Sequence, residues 1–467
     1  MRQFVRVALF WFLLLSISPI PFAYGQIVKP KFQLNIGDAN DRVVRAVFSS
    51  DGKRILLVND RSTQIWSAET GKLLLTFPEH IQHNKGRWFD WQPGGSTIMQ
   101  YGALGKNAGV VLWDADTGRK AAELTEKKGM IHAEWNRSGD RILTVSHQSG
   151  YPAGSDFTIS IRDEKGRILR QRSEPYLRAA TFSNVESSVI ISVRGIERAE
   201  KKAIRVEDMQ TGDILRSFDQ DLRKSDHWNY AVFNTESPDG KYICADIVLS
   251  KGVVCWDTKE DRKPMYYLDN KETGDITFIG FSKDSRSFAI RKPKAKVIQI
   301  IDAESGNVRV TLDNSNETLS GGCGSQLYWV RLYSPGYCTS WSPTGRYLAA
   351  TNATKEVNIW NVANGKIVAR IPVIYDERYE PPVSTYVSDY EEFTFNPRRD
   401  LLLSISNRSI RIFAPETGEV IFESGTRRKE RSTHGHQRHI AGWSPDGSLL
   451  ITAEAENKSV MLWEVIR

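Results

Sequence analysis

The chain has 467 residues, 40% of them hydrophobic, with 63 basic and 56 acidic side chains and four Cys. A net charge of +7 over that length is too weak a field to predict a nucleic-acid or membrane partner. Length alone suggests two or three domains, unless internal repeats add module after module to one continuous core.

Arg2 and Arg6 precede an apolar run from Val7 to about Ile20, whose end is broken by Pro19 and Pro21 and followed by the small-residue pattern Ala23-Tyr24-Gly25. This is the layout of a secretory signal peptide, with cleavage expected after Gly25. About 14 apolar residues are also short of the roughly 20 that span hydrocarbon. Residues 1–25 are therefore read as a leader and 26–467 as the mature chain, periplasmic or secreted, with no stable membrane insertion after cleavage. The mature chain keeps 61 basic and 56 acidic residues, since only Arg2 and Arg6 are lost.

A short orphan strand, Phe32-Gln33-Leu34-Asn35-Ile36, comes first. One pattern then returns nine times, with leading aromatics at Phe48, Trp91, Trp135, Phe182, Phe233, Phe281, Trp341, Phe395 and Trp443. Successive leaders are 43 to 60 residues apart, the period of propeller blades. After each leader, Ser-Pro-Asp-Gly at 444–447 and its relatives at 237–240 and 342–345 supply fixed φ at Pro, an acceptor at Asp and free φ at Gly, the makings of a tight reversal. The following runs, such as Arg54-Ile55-Leu56-Leu57-Val58, are too short for helices. Thr-Gly at 70–71, 117–118, 211–212 and 417–418 marks a further hairpin turn. Each unit thus has four strands.

Five units place Trp near the end of the third strand: Ile65-Trp66, Leu112-Trp113-Asp114, Cys255-Trp256-Asp257, Ile359-Trp360-Asn361 and Leu462-Trp463-Glu464. These endings resemble those of the WD-repeat family, and the phased copies cover nearly the whole mature chain. The resemblance implies an all-β fold, a β-propeller of four-stranded antiparallel blades without chemistry of its own. The family's upstream Gly-His is mostly absent, Gly435-His436 being its clear likeness. Units three, four and six carry Arg162, Glu207 and Ile301 in place of Trp, so those blades are expected to pack through apolar contacts. Pairing the orphan strand with the last unit would close one ring of eight or nine blades; two smaller rings are the alternative.

Cys244 with Cys255 and Cys323 with Cys338 form two local pairs that an exported chain could bridge. A hairpin turn at Ser250-Lys251 would set Cys255 opposite Asp246, diagonal to Cys244, which favours free thiols unless a bulge realigns the two; the second pair lies in a Gly-rich insertion that favours a bridge.

In a propeller, the connections from second to third strand and from one blade to the next open on one face. Seven long segments fall in these classes, so one elaborated face is expected. Residues 372–391 carry Tyr375, Tyr379, Tyr386 and Tyr390 among acids, able to bury aromatic area at a partner surface. The 425–439 segment is basic through Arg427 and Arg428, and the 313–338 segment carries Tyr328 and Trp329. These side chains are candidates for binding a protein partner. His434-x-His436-x-x-His439 has ligand-like spacing, but no carboxylate or Cys completes it and neighbouring cations oppose a divalent ion. No phosphate loop, nucleophile elbow or metalloprotease motif occurs. The sequence therefore reads as a non-catalytic interaction scaffold with no cofactor, no metal and no nucleic-acid partner. The alternative is an enzyme or ligand-binding propeller acting on a glycan or peptide in its central funnel, which predicts convergent carboxylates with raised pKa values.

Overall fold

The reversals that follow the leading residues are built by their own side chains. In the computed structural model, Ser444 Oγ donates to Asp446 Oδ1 at 2.6 Å, Ser448 N donates to the same oxygen at 3.1 Å, and Gly447 N donates to the Ser444 carbonyl at 2.8 Å. Ser49–Asp51, Ser237–Asp239 and Ser282–Asp284 repeat the hydroxyl-to-carboxylate bond, each at 2.6 Å. These acceptors satisfy backbone groups that the reversal takes out of the ladder. At the next reversal Asp114 Oδ1 accepts from Asp116 N and Thr117 N, both at 2.8 Å. Gly118 follows at φ +69°, where a Cβ would stand 2.9 Å from Phe77 Cα, so conformation and space both require glycine.

The structure describes the strands and their short turns; residues 1–26, 37–42, 79–85, 103–108, 126–129, 148–155, 176, 186, 194–201, 220–229, 249–251, 261–263, 269–275, 293–296, 314–338, 352–355, 372–391, 407–408, 425–438, 454–459 and 467 lie outside the described residues. The expected leader, residues 1–25, is among the latter. The described strands form nine four-stranded antiparallel sheets, and none of the described residues is helical. Blades 1 to 8 cover residues 43–76, 86–125, 130–175, 177–219, 230–268, 277–313, 339–371 and 392–424, each with its strands in sequence order.

Blade 9 takes three strands from 440–465 and its fourth from Val28–Leu34. Phe32 pairs with Leu462 and Leu34 with Val460, and Ile466 N donates to the Ile27 carbonyl at 2.7 Å. This seals one ring of nine blades, a β-propeller. The sealing strand starts four residues before the expected one. First strands of neighbouring blades touch, including Val43–Phe48 with Gly86–Trp91 and with Ile440–Trp443, and so surround the axis.

The core is divided among the nine seams between blades. At the blade 1–2 seam, Leu56, Val58 and Ile65 meet Phe89, Trp91, Ile98 and Trp113; the 6–7 seam holds Ala289, Ile298, Ile300, Leu348 and Trp360. Each blade therefore shields its neighbours' apolar faces, which no blade could bury alone.

The structure corrects the expected phase of unit five. Phe48, Trp91, Trp135, Phe281 and Trp443 each lie opposite the second residue of the next strand, as in Phe48↔Ile55, whereas in blade 5 the residue opposite Ile243 is Glu236. Phe233 stands three residues upstream of that place, opposite Asp246. The Ser237-Pro238-Asp239-Gly240 turn fixes the register, and a carboxylate occupies the leading position.

The expected hairpin between the cysteines is also corrected. Ile247 pairs with Gly252 and Asp246 with Val253, so the loop is longer than two residues and Cys244 lies directly opposite Cys255. The two are joined by a disulfide between fully buried residues, with Cα atoms 4.1 Å apart. Cys323 and Cys338 lie outside the described residues.

The Trp-equivalent places form one slot per blade, facing the preceding blade. Trp113 Nε1 donates to Gln100 Oε1 at 3.2 Å and Trp463 Nε1 to Thr452 Oγ1 at 2.9 Å, so in both blades a polar side chain of the second strand satisfies the indole. Arg162 fills the slot of blade 3, donating from Nε to Thr144 Oγ1 at 3.2 Å, the same second-strand place, and from Nη1 to the Gly166 carbonyl at 3.0 Å. Glu207 fills that of blade 4, where Arg172 Nη2 lies 2.8 Å from Oε1 and Arg205 Nε 3.3 Å away. Arg172 and Arg205 also reach Glu174, at 2.8 and 2.6 Å. The expectation of apolar packing thus fails for blades 3 and 4, because a buried charge must find partners. It describes Ile301 of blade 6, which joins an apolar seam.

Candidate functional site

Tyr375, Tyr379, Tyr386, Tyr390, Tyr328, Trp329, Arg427 and Arg428 all lie outside the described residues, as do His434 and His436. The strand bounds still fix where their segments leave the ring. Residues 314–338, 372–391 and 425–439 join the fourth strand of one blade to the first strand of the next; residues 148–155 and 194–201 join second to third strands. On the opposite face the reversals are short and bound to one another. Ser50 Oγ donates to the Gln92 carbonyl at 3.1 Å, Gln92 Nε2 to the Gly139 carbonyl at 2.8 Å, and Asn396 Nδ2 to the Gly447 carbonyl at 2.9 Å.

Around the axis, the first-strand residue preceding the leading position is Val47, Thr181, Thr235, Gly280, Ser340, Thr394 or Gly442 in seven blades. Blades 2 and 3 carry Asp90 and Glu134 instead. The structure thus brings two carboxyls to one sector of the inner wall.

Asp90 is exposed and has no hydrogen-bond or ion-pair partner among the described residues, yet surrounding protein desolvates its carboxyl and raises its pKa. Both hold for a side chain on the wall of a narrow passage. Glu134 is partly buried; Oε1 accepts from Phe182 N of blade 4 at 2.6 Å, and the Thr181 hydroxyl also binds its carboxyl. Burial pushes its pKa up to about 7, helped by the Asp90 charge and opposed by these hydrogen bonds. Burial also raises the Tyr101 phenol, with Asp90 and Glu134 adding to the effect. His132 Nε2 lies 3.5 Å from Glu134 Oε2, and burial holds the imidazole well below its ordinary value, so the contact is not an ion pair at neutral pH.

The sector can hold a proton near neutrality and attract a cation. Among the described residues no group of three or more His, Cys, Asp or Glu side chains is arranged to hold a metal ion. Neither Asp90 nor Glu134 stands out from sequence inspection, because an acid beside an aromatic on a short strand reads as a solvated position. The available signal was vertical: aligned unit by unit, this place is otherwise small or uncharged.

The profile of the WD domain, G-beta repeat, matches residues 427–464, the last blade. The fold is a nine-bladed β-propeller, and its last blade is similar to the WD repeat. No curated protein matches it significantly over any part of its length. Among solved structures, a eukaryotic initiation factor is similar at 14% identity with TM-score 0.55, covering 85% of this chain and 90% of that one. The computationally designed Ika8 protein is 11% identical with TM-score 0.47, covering 94% of this chain and 100% of that one. The Cps50 (Swd1) β-propeller domain of Myceliophteria thermophila is 12% identical with TM-score 0.38, covering 94% and 99%. At these identities the likeness concerns the fold. Propellers of this repeat family are commonly protein-interaction scaffolds without catalysis, and no described helix is long and apolar enough to cross a membrane.

Proposed function

We propose that this propeller is a non-catalytic scaffold of the cell envelope or exterior that binds a protein partner through the long connections on one face. The observation that carries this reading is the asymmetry of the ring. One face is tied down by short, mutually bonded reversals, while the connections of up to 25 residues all leave from strand ends on the other. A closed ring holds such segments at fixed spacing and reduces the ordering that binding would otherwise cost. The Cys244–Cys255 bridge supports an oxidising compartment, since such bonds persist mainly outside the cytosol.

Two experiments test this. Sequencing the exported protein should give a terminus after Gly25, and a retained leader or cytosolic chain removes the location. Crosslinking in the native envelope should capture a defined protein, and replacing Tyr375, Tyr379, Tyr386 and Tyr390 by Ser should abolish capture while leaving the melting curve in place. Capture that survives those changes removes the 372–391 segment from the reading.

The Asp90 and Glu134 sector favours a second reading, in which the axis takes a ligand such as a glycan or peptide. On that reading Asp90→Asn weakens binding of a cationic peptide without changing partner capture. Equal binding by both forms ends it.

A further inference from the structure

We propose that the seating of blade 4 in the ring is pH-responsive, because two carboxyl side chains, Glu134 from blade 3 and Glu236 from blade 5, grip consecutive residues at its inner end. Glu134 accepts from Phe182 N at 2.6 Å and binds the Thr181 hydroxyl. From the other side, Glu236 Oε1 accepts from Ser183 Oγ at 2.7 Å and Oε2 accepts from Asn184 N. Four successive residues of one strand end, 181–184, are thus held from both neighbours.

The corresponding place in blade 7 shows the neutral form of the contact: Ser340 Oγ accepts from Phe395 N of blade 8 at 3.4 Å. Where blade 4 meets its neighbours, the same job falls to ionisable groups. Neither has a Lys or Arg within ion-pair distance among the described residues. Facing Glu134 are Asp90 and Tyr101 of blade 2, His132 and apolar Leu143 of its own blade, and Thr181 of blade 4. Facing Glu236 are Asp239 on its own turn, apolar Ile243 opposite, and Ser183 and Asn184 of blade 4. Burial without a cation favours the protonated acid on both, and each also feels a like charge, Asp90 or Asp239.

The sign follows from linkage. A carboxyl whose folded pKa lies above its unfolded value stabilises the fold fully below that unfolded value, and the contribution disappears as pH rises through the folded one. For Glu134 the window runs from the ordinary 4.5 to about 7. Glu236 acts in the same direction, starting from 4.5. His132 opposes them, since its depressed pKa makes the fold more stable above its ordinary value and less stable as pH falls. Subtracting a variant that keeps His132 removes that opposition.

The test compares urea midpoints of the full chain from pH 5 to pH 8 with those of Glu134→Gln, Glu236→Gln and the double variant. Gln keeps an acceptor for Phe182 N or Ser183 Oγ but cannot ionise. Relative to the double variant, the wild-type midpoint should fall steadily over this interval, with Glu134→Gln removing most of the slope. A constant difference from pH 5 to pH 8 overturns the proposal. If the variants do not fold, carbon-13 NMR of glutamate carboxyls in the wild type decides. A Glu134 signal titrating near neutrality supports the proposal, and one titrating in the ordinary range overturns it.

Discussion

The slot that holds Trp360 in blade 7 holds Glu207 in blade 4, and the two places are structurally equivalent: Trp360 pairs with Leu348 and Glu207 with Val189 at matching points of their sheets. Trp360 is fully buried among Ala289, Ile298, Ile300, Leu312 and Leu348. Glu207, 1% exposed, faces Arg172, Arg170 and Arg205. The ring thus accepts chemically opposite solutions at one topological place, provided that the volume is filled and every buried charge is answered. Filling by carbon is tolerant of its surroundings. Filling by charge depends on polar partners, which Arg162 finds in its own blade and Glu207 finds both in its own blade, at Arg205, and in blade 3, at Arg170 and Arg172.

The comparison breaks first at the tryptophan. Trp360→Ala removes a large buried side chain and leaves a cavity between rigid sheets, so a loss of about 3–5 kcal/mol in unfolding free energy is expected from urea titration. A loss below about 1 kcal/mol would mean that the seam collapses around the gap. Glu207→Ala comes next, at about 2–4 kcal/mol, because it leaves Arg172 and Arg205 to share Glu174, while their own partial exposure limits the damage. The double change Glu207→Leu with Arg172→Leu sharpens the contrast. It should be less destabilised than Glu207→Ala, since apolar groups of similar volume can replace a buried pair. A double variant destabilised at least as much as Glu207→Ala would show that the charges do more than fill the slot.

These places also show what the sequence reveals. Blades were legible because their turns are specified locally: Ser444 to Gly447 and Asp114 to Gly118 carry their own acceptors and their own positive φ. Ring closure was legible because the apolar Phe32 to Ile36 strand had no partner nearby in sequence. The Arg172–Glu207 pair was not, since its members are 35 residues apart on different blades and no period marks them. Phe233 misled for the opposite reason: an aromatic near the expected place outweighed the turn, which alone fixes register and puts Glu236 there. The candidate interaction residues fall outside the described residues. The acidic sector was missed because Asp90 and Glu134 become neighbours only when blades 2 and 3 stand side by side around an axis.

A covalent tie offers a third, smaller break. Replacing Cys244 and Cys255 together by Ala opens a loop with a sequence separation of 11, for which chain entropy suggests a loss of about 2–3 kcal/mol. The direct check is mass: alkylation of the unfolded, unreduced protein should add nothing at these two positions. Labelling of both in the wild type would remove the bridge and its support for an oxidising compartment.

The smallest expected effect concerns an exposed version of the same question of charge against shape. Asp302 ends the third strand of blade 6, where Ser305 N donates to Oδ1 at 2.8 Å and Arg309 Nε donates to Oδ2 at 2.8 Å. The backbone hydrogen bond, then the Arg309 guanidinium, hold its carboxyl down at about 2. Asn361 occupies the equivalent place in blade 7 and still accepts from Ala363 N at 2.9 Å, so an amide suffices for the turn. Asp302→Asn should therefore keep the fold and lose only the charged part, about 0.5–1 kcal/mol after solvent screening of a pair whose Arg is half exposed. Because the folded pKa is depressed, that part is present above the ordinary value of 3.8 and disappears as pH falls through about 2. Urea midpoints of the two proteins should differ at pH 7 and converge near pH 2; curves that stay parallel would assign the difference to the turn rather than to the charge.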